Sequence, residues 1–296
     1  MVGLLKERRR RKLREHPVPE EWRAIISRNL PFFSRLSAAD QKELLGHVQV
    51  FLAEKRFEGC GGLELTEEIR LTIATQACLL LLHRKTDYYP RLVTILVYPS
   101  GFVVEENRPI DHIVWEEGQE GRLGETSRQM GSLVLAWDAA RYGGLDPSDG
   151  KNLILHEFAH QLDFEDLAAD GVPALNSRDE RRSWAEVMKV EFAALRAADE
   201  TGIAMLLDSY GATNPAEFFA VAIEAFFERP LALRNQRPQL YGALERFFRQ
   251  DPATYSSEPA ASPLTAAPPP GPPESRPINV FRRERKARLC RADWEG

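Results

Sequence analysis

Leu153-Ile154-Leu155-His156-Glu157-Phe158-Ala159-His160-Gln161-Leu162 is the stretch whose reading decides the fold. Residues Lys151 to Phe164 have helical character, and Asp146 and Pro147 suit an N-cap and a first helical position, so the string reads as part of one helix. A spacing of four puts both imidazoles on the same face. Two neutral histidines one turn apart can share a Zn2+ ion, and Glu157, one residue round the helix, can accept a proton from water at the metal. The chain has six histidines in 296 residues. In such a composition the HExxH pattern arises by chance with odds of roughly one in a hundred. Its apolar neighbours predict a mostly buried helix, and buried histidines beside a buried glutamate need partners, one of which a metal supplies.

Outward from this helix, the periodicity changes along the chain. Amphipathic stretches at Glu20 to Arg28 and Ala38 to Phe57 open the body, the second capped by Ser37 with Asp40 three residues on. A third helix starts at Thr66 and runs to Leu82, apolar nearly all round and therefore central. Leu92 to Tyr98, Gly101 to Glu105, Ile110 to Glu116 and Ser132 to Trp137 are short β-branched or aromatic runs separated by Pro, Gly and Asn, the pattern of a small sheet. Helices alone follow: the motif helix, Arg178 to Asp199, Pro215 to Glu228 and Pro238 to Arg249. The order helices, strands, helices predicts an α+β fold rather than alternating βαβ units.

Composition bounds the rest. With 43% apolar and 28% charged residues the chain is an ordinary globular protein, and no apolar run is long enough to insert in a membrane. Cys60, Cys78 and Cys290 show no metal or disulfide spacing, and with no export signal the expected compartment is the cytoplasm. The ends are basic and the body acidic: residues 1–16 hold seven Lys or Arg against two acids, residues 276–296 seven against three, and the whole carries −5. Without aromatic interleaving or a recognition motif, these ends read as solvated tails, with no specific nucleic-acid binding expected. The expected organisation is a basic N-terminal segment at 1–16, a catalytic domain at 17–255, a Pro-rich disordered linker at 256–277 and a basic tail at 278–296.

A catalytic zinc usually takes three protein ligands plus water, and the motif supplies two. The remaining histidines, His16, His47, His83 and His112, all precede it on unrelated elements, so a carboxylate from a later helix is expected. Glu217 and Glu224 lie two turns apart on one face of the helix that begins at Pro215, and the residues themselves leave the choice open. Glu217 also stands three residues beyond the N-cap Asn214, where a glutamate commonly reaches back to the cap. Asp163 and Glu224 have the phase of groups that orient ligand imidazoles, although helix capping or solvent exposure fits them nearly as well.

His156 to Asp163, with Tyr210 and Asn214-Pro215-Ala216-Glu217-Phe218-Phe219-Ala220-Val221, resembles the Mlc titration factor A family of bacterial zinc peptidases. The likeness runs from about residue 10 to 255 and includes Gly62-Leu63-Glu64, Gln76-Ala77-Cys78, Val97-Tyr98-Pro99-Ser100 and the strand at Trp137. The family's active site is similar to that of the anthrax lethal factor catalytic domain, where a tyrosine precedes the third ligand by seven residues, as Tyr210 precedes Glu217. The resemblance implies a mainly helical, zincin-like metallopeptidase domain with a small mixed β-sheet and an HExxH active-site helix. It implies one Zn2+ held by His156, His160 and Glu217, Glu157 as general base and Tyr210 as a donor to the oxyanion. It implies peptide or protein substrates and aminopeptidase-like activity on small ones. As the alternative, it implies a regulatory protein that sequesters a transcriptional repressor of sugar uptake, with peptidase activity secondary. The strand Gly131 to Trp137 is the expected sheet edge for an extended peptide.

Overall fold

The computed structural model describes residues 2–100, 131–145, 149–166 and 170–255. The strands expected at Gly101 to Glu105 and Ile110 to Glu116, the cap expected at Asp146 and Pro147, and the linker and tail beyond 255 lie outside the described residues.

Helix α1 spans Val2–Glu15, α2 Glu20–Asn29 and α3 Ala38–Glu54. Ser37 caps α3 by accepting from the Asp40 amide at 3.1 Å, as the sequence predicts. The helix stops three residues short of Phe57, however, and Arg56–Gly59 form strand β1. Long-range contacts decide that boundary. The Lys55 ammonium donates to the carbonyls of Tyr89 (2.7 Å) and Leu92 (2.6 Å), and the Arg56 amide donates to Val93 at 2.9 Å. Burial pulls the Lys55 ammonium down to about 8, and those two carbonyls are what it has in place of water.

Helix α4, Glu67–Leu79, follows, capped by Thr66. From Leu71 to Leu79 every residue is buried, so α4 is the central helix expected from its apolar circumference. Strands β2 (Thr94–Tyr98) and β3 (Ser132–Ala136) complete a sheet of order β1-β2-β3. Both pairings are parallel, with Arg56 opposite Thr94 and Thr94 opposite Ser132. Among the described residues the sheet is parallel, and β1-α4-β2 is a βαβ unit within a mainly helical chain, consistent with the α+β class that the element order predicts. A parallel neighbour needs a crossover, and α4 provides it.

Helix α5, Trp137–Leu145, begins where the sequence suggests the end of a strand. Its glycines are close-approach positions, not breakers. A Cβ on Gly143 would stand 3.0 Å from the Asn152 Cα, and one on Gly144 3.0 Å from the Leu30 side chain. Helices α6 (Leu153–Asp163), α7 (Arg178–Thr201), α8 (Pro215–Glu228), α9 (Pro230–Gln236) and α10 (Pro238–Phe248) follow. The short α9 is hidden in the sequence because Arg229 both ends α8 and precedes Pro230 at its first position. Phe219, Phe247 and Trp184 pack edge-on or tilted at ring separations of 5.3 to 6.4 Å, joining α7, α8 and α10. No helix among the described residues is long and apolar enough to cross a membrane.

The N-terminal segment is not a solvated tail. Helix α1 packs on α3, and Arg10, 3% exposed, makes a forked bond to Glu54 (2.8 and 2.7 Å) and a third to Asp87 (2.6 Å). The basic run conceals one cation whose partners lie 44 and 77 residues away. Replacing Arg10 with Ala leaves the mostly buried Glu54 without its partner and costs about 2 kcal/mol, below the loss for a fully buried pair because Asp87 is half exposed. Denaturant titration of the full chain checks this. An unchanged midpoint would return α1 to the status of a loose tail.

Candidate metal centre

The motif helix α6 begins at Leu153, and its cap is Asn152, whose Oδ1 accepts from the Leu155 amide at 3.0 Å. Ile154, Leu155, Phe158, Ala159 and Leu162 are buried, which sets the rotation of the helix. The polar stripe of His156, Glu157 and His160 is carried inward with them, and Glu157 is 0% exposed. Helix α8 packs against α6 and brings Glu217 in its first turn and Glu224 two turns later.

The His156 and His160 Nε2 atoms are 3.2 Å apart, and Glu217 Oε2 stands 3.1 Å from the first and 3.5 Å from the second. Ligand atoms at ~2.0–2.1 Å from a tetrahedral ion lie roughly 3.3 Å from one another, so these three occupy one face of such a site. Two imidazoles and a carboxylate are a donor set suited to a divalent transition metal. Ligand atoms of His156, Glu157 and His160 all fall within 4.8 Å of one another, which keeps the Glu157 carboxylate beside the same space. The two glutamates of α8 stand differently: Glu217 faces both Nε2 atoms, while Glu224 Oε1 accepts from His156 Nδ1 at 2.8 Å. Glu217 does not reach back to the cap. Its own amide donates to Asn214 Oδ1 at 2.9 Å, which frees its carboxylate for the histidines.

The electrostatics favour positive charge between these carboxylates. Burial opposes protonation of His156, but hydrogen bonds to Glu217 and Glu224 outweigh it and raise the imidazolium to about 10. Burial likewise opposes ionisation of Glu217, and the two histidines overcome it, holding the carboxyl down to about 2. A proton and a dication would therefore compete for the same carboxylate-flanked position.

Behind His156 lies a polar layer that the sequence reading passes over. Glu224 Oε2 accepts from the Asn152 backbone amide at 2.6 Å. The Asn152 side-chain amide donates to Gln76 Oε1 (2.7 Å), Glu228 Oε1 (2.9 Å) and Gly143 O (3.2 Å). Its signal was available: an Asn immediately before Leu153-Ile154-Leu155 is a stronger cap than Asp146, seven residues from the motif's first turn. Asp163 is hydrogen-bonded to the segment that follows α6. Both its oxygens accept from the Gly171 amide, at 2.9 and 3.0 Å, and Gly171 takes a φ of +79° with no room for a Cβ against the Pro215 carbonyl. Tyr210 lies in a 3-10 turn, Ser209–Ala212, whose cap Asp208 accepts from the Tyr210 amide and pairs with Lys151 at 3.1 Å. The Tyr210 ring is 53% exposed, its centroid 6.0 Å from that of His156.

Two variants test this scaffold. Asn152→Asp keeps the cap acceptor, removes the amide donor and sets a third carboxylate beside Glu224 and Glu228. It should cost about 2–3 kcal/mol at pH 7 and less at pH 5, where carboxylates begin to protonate, by urea denaturation. Burial pushes the Asp163 carboxyl up to about 6 despite the Gly171 amide, above its ordinary 3.8. A folded-state value raised in this way gives stability that is complete below 3.8 and lost as pH rises through 6. Asp163→Asn, which keeps one acceptor for Gly171, should therefore match the wild type near pH 4 and exceed it near pH 7 by on the order of 2 kcal/mol. Destabilisation at pH 7 would assign the carboxylate charge a necessary partner.

A model of the family described as glucose-regulated metallo-peptidase M90 matches residues 4–249. An uncharacterized protein of Synechocystis is 41% identical over 244 residues, which cover 82% of this chain and 89% of that one. Proteins named Mlc titration factor A from Yersinia pestis and Yersinia pseudotuberculosis are 32% identical over 235 residues, covering 78% of this chain and 85% of theirs. With the match spanning nearly all of the described elements, the chain belongs to the glucose-regulated metallo-peptidase M90 family.

Proposed function

We propose that this chain is a zinc-dependent peptidase in which His156, His160 and Glu217 hold one zinc ion, Glu157 is the general base and Tyr210 donates to the oxyanion. One observation carries the reading: two imidazole nitrogens and a carboxylate oxygen, from two helices with His156 and Glu217 61 residues apart in sequence, face one another across 3.1 to 3.5 Å. Three protein ligands leave a position for water, the pattern of catalytic rather than structural zinc. Zinc held there supplies a Lewis acid that polarises a carbonyl and lowers the pKa of water towards 7.

The remaining chemistry falls to side chains. Glu157 takes the proton of the attacking water and then delivers it to the departing amine. Tyr210, on the exposed side of His156, donates its hydroxyl to the carbonyl oxygen as negative charge gathers there. Glu224, by accepting from Nδ1, fixes the tautomer that leaves Nε2 of His156 free to ligate. Strand β3 packs near α6 and is outermost among the described strands, so an extended peptide can pair along it. Aminopeptidase-like action on small substrates is the activity this reading favours.

A regulatory reading stands beside it, because the relatives named Mlc titration factor A align over 85% of their length. In that reading the chain binds a transcriptional repressor, and hydrolysis is secondary. Glu157→Gln separates the two. It should lower hydrolysis of aminoacyl and internally quenched peptides by about 100-fold or more at unchanged zinc content. Retained hydrolysis would sink the assignment of the base. Repressor binding that persists in Glu157→Gln, measured by titration calorimetry, would make sequestration independent of peptidase chemistry.

A further inference from the structure

Helix α1 is attached to the body by one side only. Arg10, Leu13 and Arg14 face α3 and the Tyr88 turn, with Arg14 so close to Gly46 that a Cβ there would meet it at 3.3 Å. Lys6, Arg10 and Arg14 are all paired, with Asp87, Glu54 and Glu7. Arg8, Arg9, Arg11 and Lys12 form no ion pair among the described residues and are exposed. At 100° per residue, these four and the leucines Leu4 and Leu5 fall within an arc of roughly 160°, opposite Arg10. Leu4 is 78% exposed and Leu5 65%. Leu5, Arg8, Arg9, Lys12, Leu13 and His16 line a shallow groove along this side, and Glu15, at its far end, is the acid on it.

We propose that this face of α1 docks the protein on an anionic lipid surface, Leu4 and Leu5 entering the headgroup layer and Arg8, Arg9, Arg11 and Lys12 meeting lipid phosphates. The pairing of two adjacent exposed leucines with four unpaired cations favours lipid over nucleic acid. A phosphate backbone uses the cations and leaves the leucines in water, whereas a bilayer interface takes both. The net charge of −5 does not oppose this, because at physiological salt a charge is felt over about 8 Å and the patch acts locally. Attachment through Arg10 and Arg14 holds the helix with this side outward before any membrane is met, which lowers the ordering cost of binding.

The test is co-sedimentation of the full chain with vesicles of phosphatidylcholine alone and of phosphatidylcholine mixed with phosphatidylglycerol. Binding is expected to the mixed vesicles only. The combined substitution R8E/R9E/R11E/K12E should weaken it by on the order of 100-fold or more, and L4S/L5S by roughly tenfold. Both variants should keep the wild-type thermal midpoint, since none of these side chains packs on the body. No binding to mixed vesicles would overturn the proposal. So would binding that survives charge reversal on α1, which would assign it to the basic residues 276–296, or tighter retention on duplex DNA that L4S/L5S leaves unchanged.

Discussion

One carboxylate holds the motif helix in place. Glu224 accepts from His156 Nδ1 with one oxygen and from the Asn152 backbone amide with the other, at 2.8 and 2.6 Å, and both partners are buried. The amide belongs to the cap of α6 and the ring to its first turn, so a single side chain of α8 pins the start of α6 in the rotation that its buried apolar face sets. A slip of one residue would turn the helix by about 100° and strand a charge in the interior, which is why the packing has one solution. The convergence of Glu217 with His156 and His160 follows from that registration.

The arrangement extends inward through Asn152 to Gln76 on α4 and Glu228 at the end of α8. Buried polar groups are tolerable only when paired, and here the pairing links the central helix, the motif helix and the carboxylate helix in one network. The glycines of α5 allow the close approach that this requires: Gly143 lies against Asn152, and Gly144 against Gln76 and Leu30. Lys55 makes a comparable link elsewhere in the core, where its ammonium ties the end of α3 to the turn that carries Tyr89, a residue with φ of +53°.

How much of this was readable in the chain depends on the range of the interaction concerned. Caps and periodicities act within a few residues, so Ser37, Thr66 and Asn214 were legible as helix starts, and so was the span Pro215–Glu228. The end of α3, strand β1 and the parallel pairing were not, because they depend on Val93 and the carbonyls of Tyr89 and Leu92, more than thirty residues away. Arg10 looked like one more member of a basic run for the same reason.

The candidate site divides along the same line. The spacing of His156 and His160 puts two imidazoles on one helical face whatever surrounds them, because that follows from 3.6 residues per turn. Glu157 follows by adjacency, and family resemblance adds Glu217 and Tyr210. Sequence alone therefore determined the chemistry on offer. Only the tertiary structure decided how two equivalent glutamates on α8 divide their roles, with Glu217 at the Nε2 atoms and Glu224 behind the ring. That division depends on where α8 crosses α6, a matter of packed side chains and paired buried charges that no local spacing encodes.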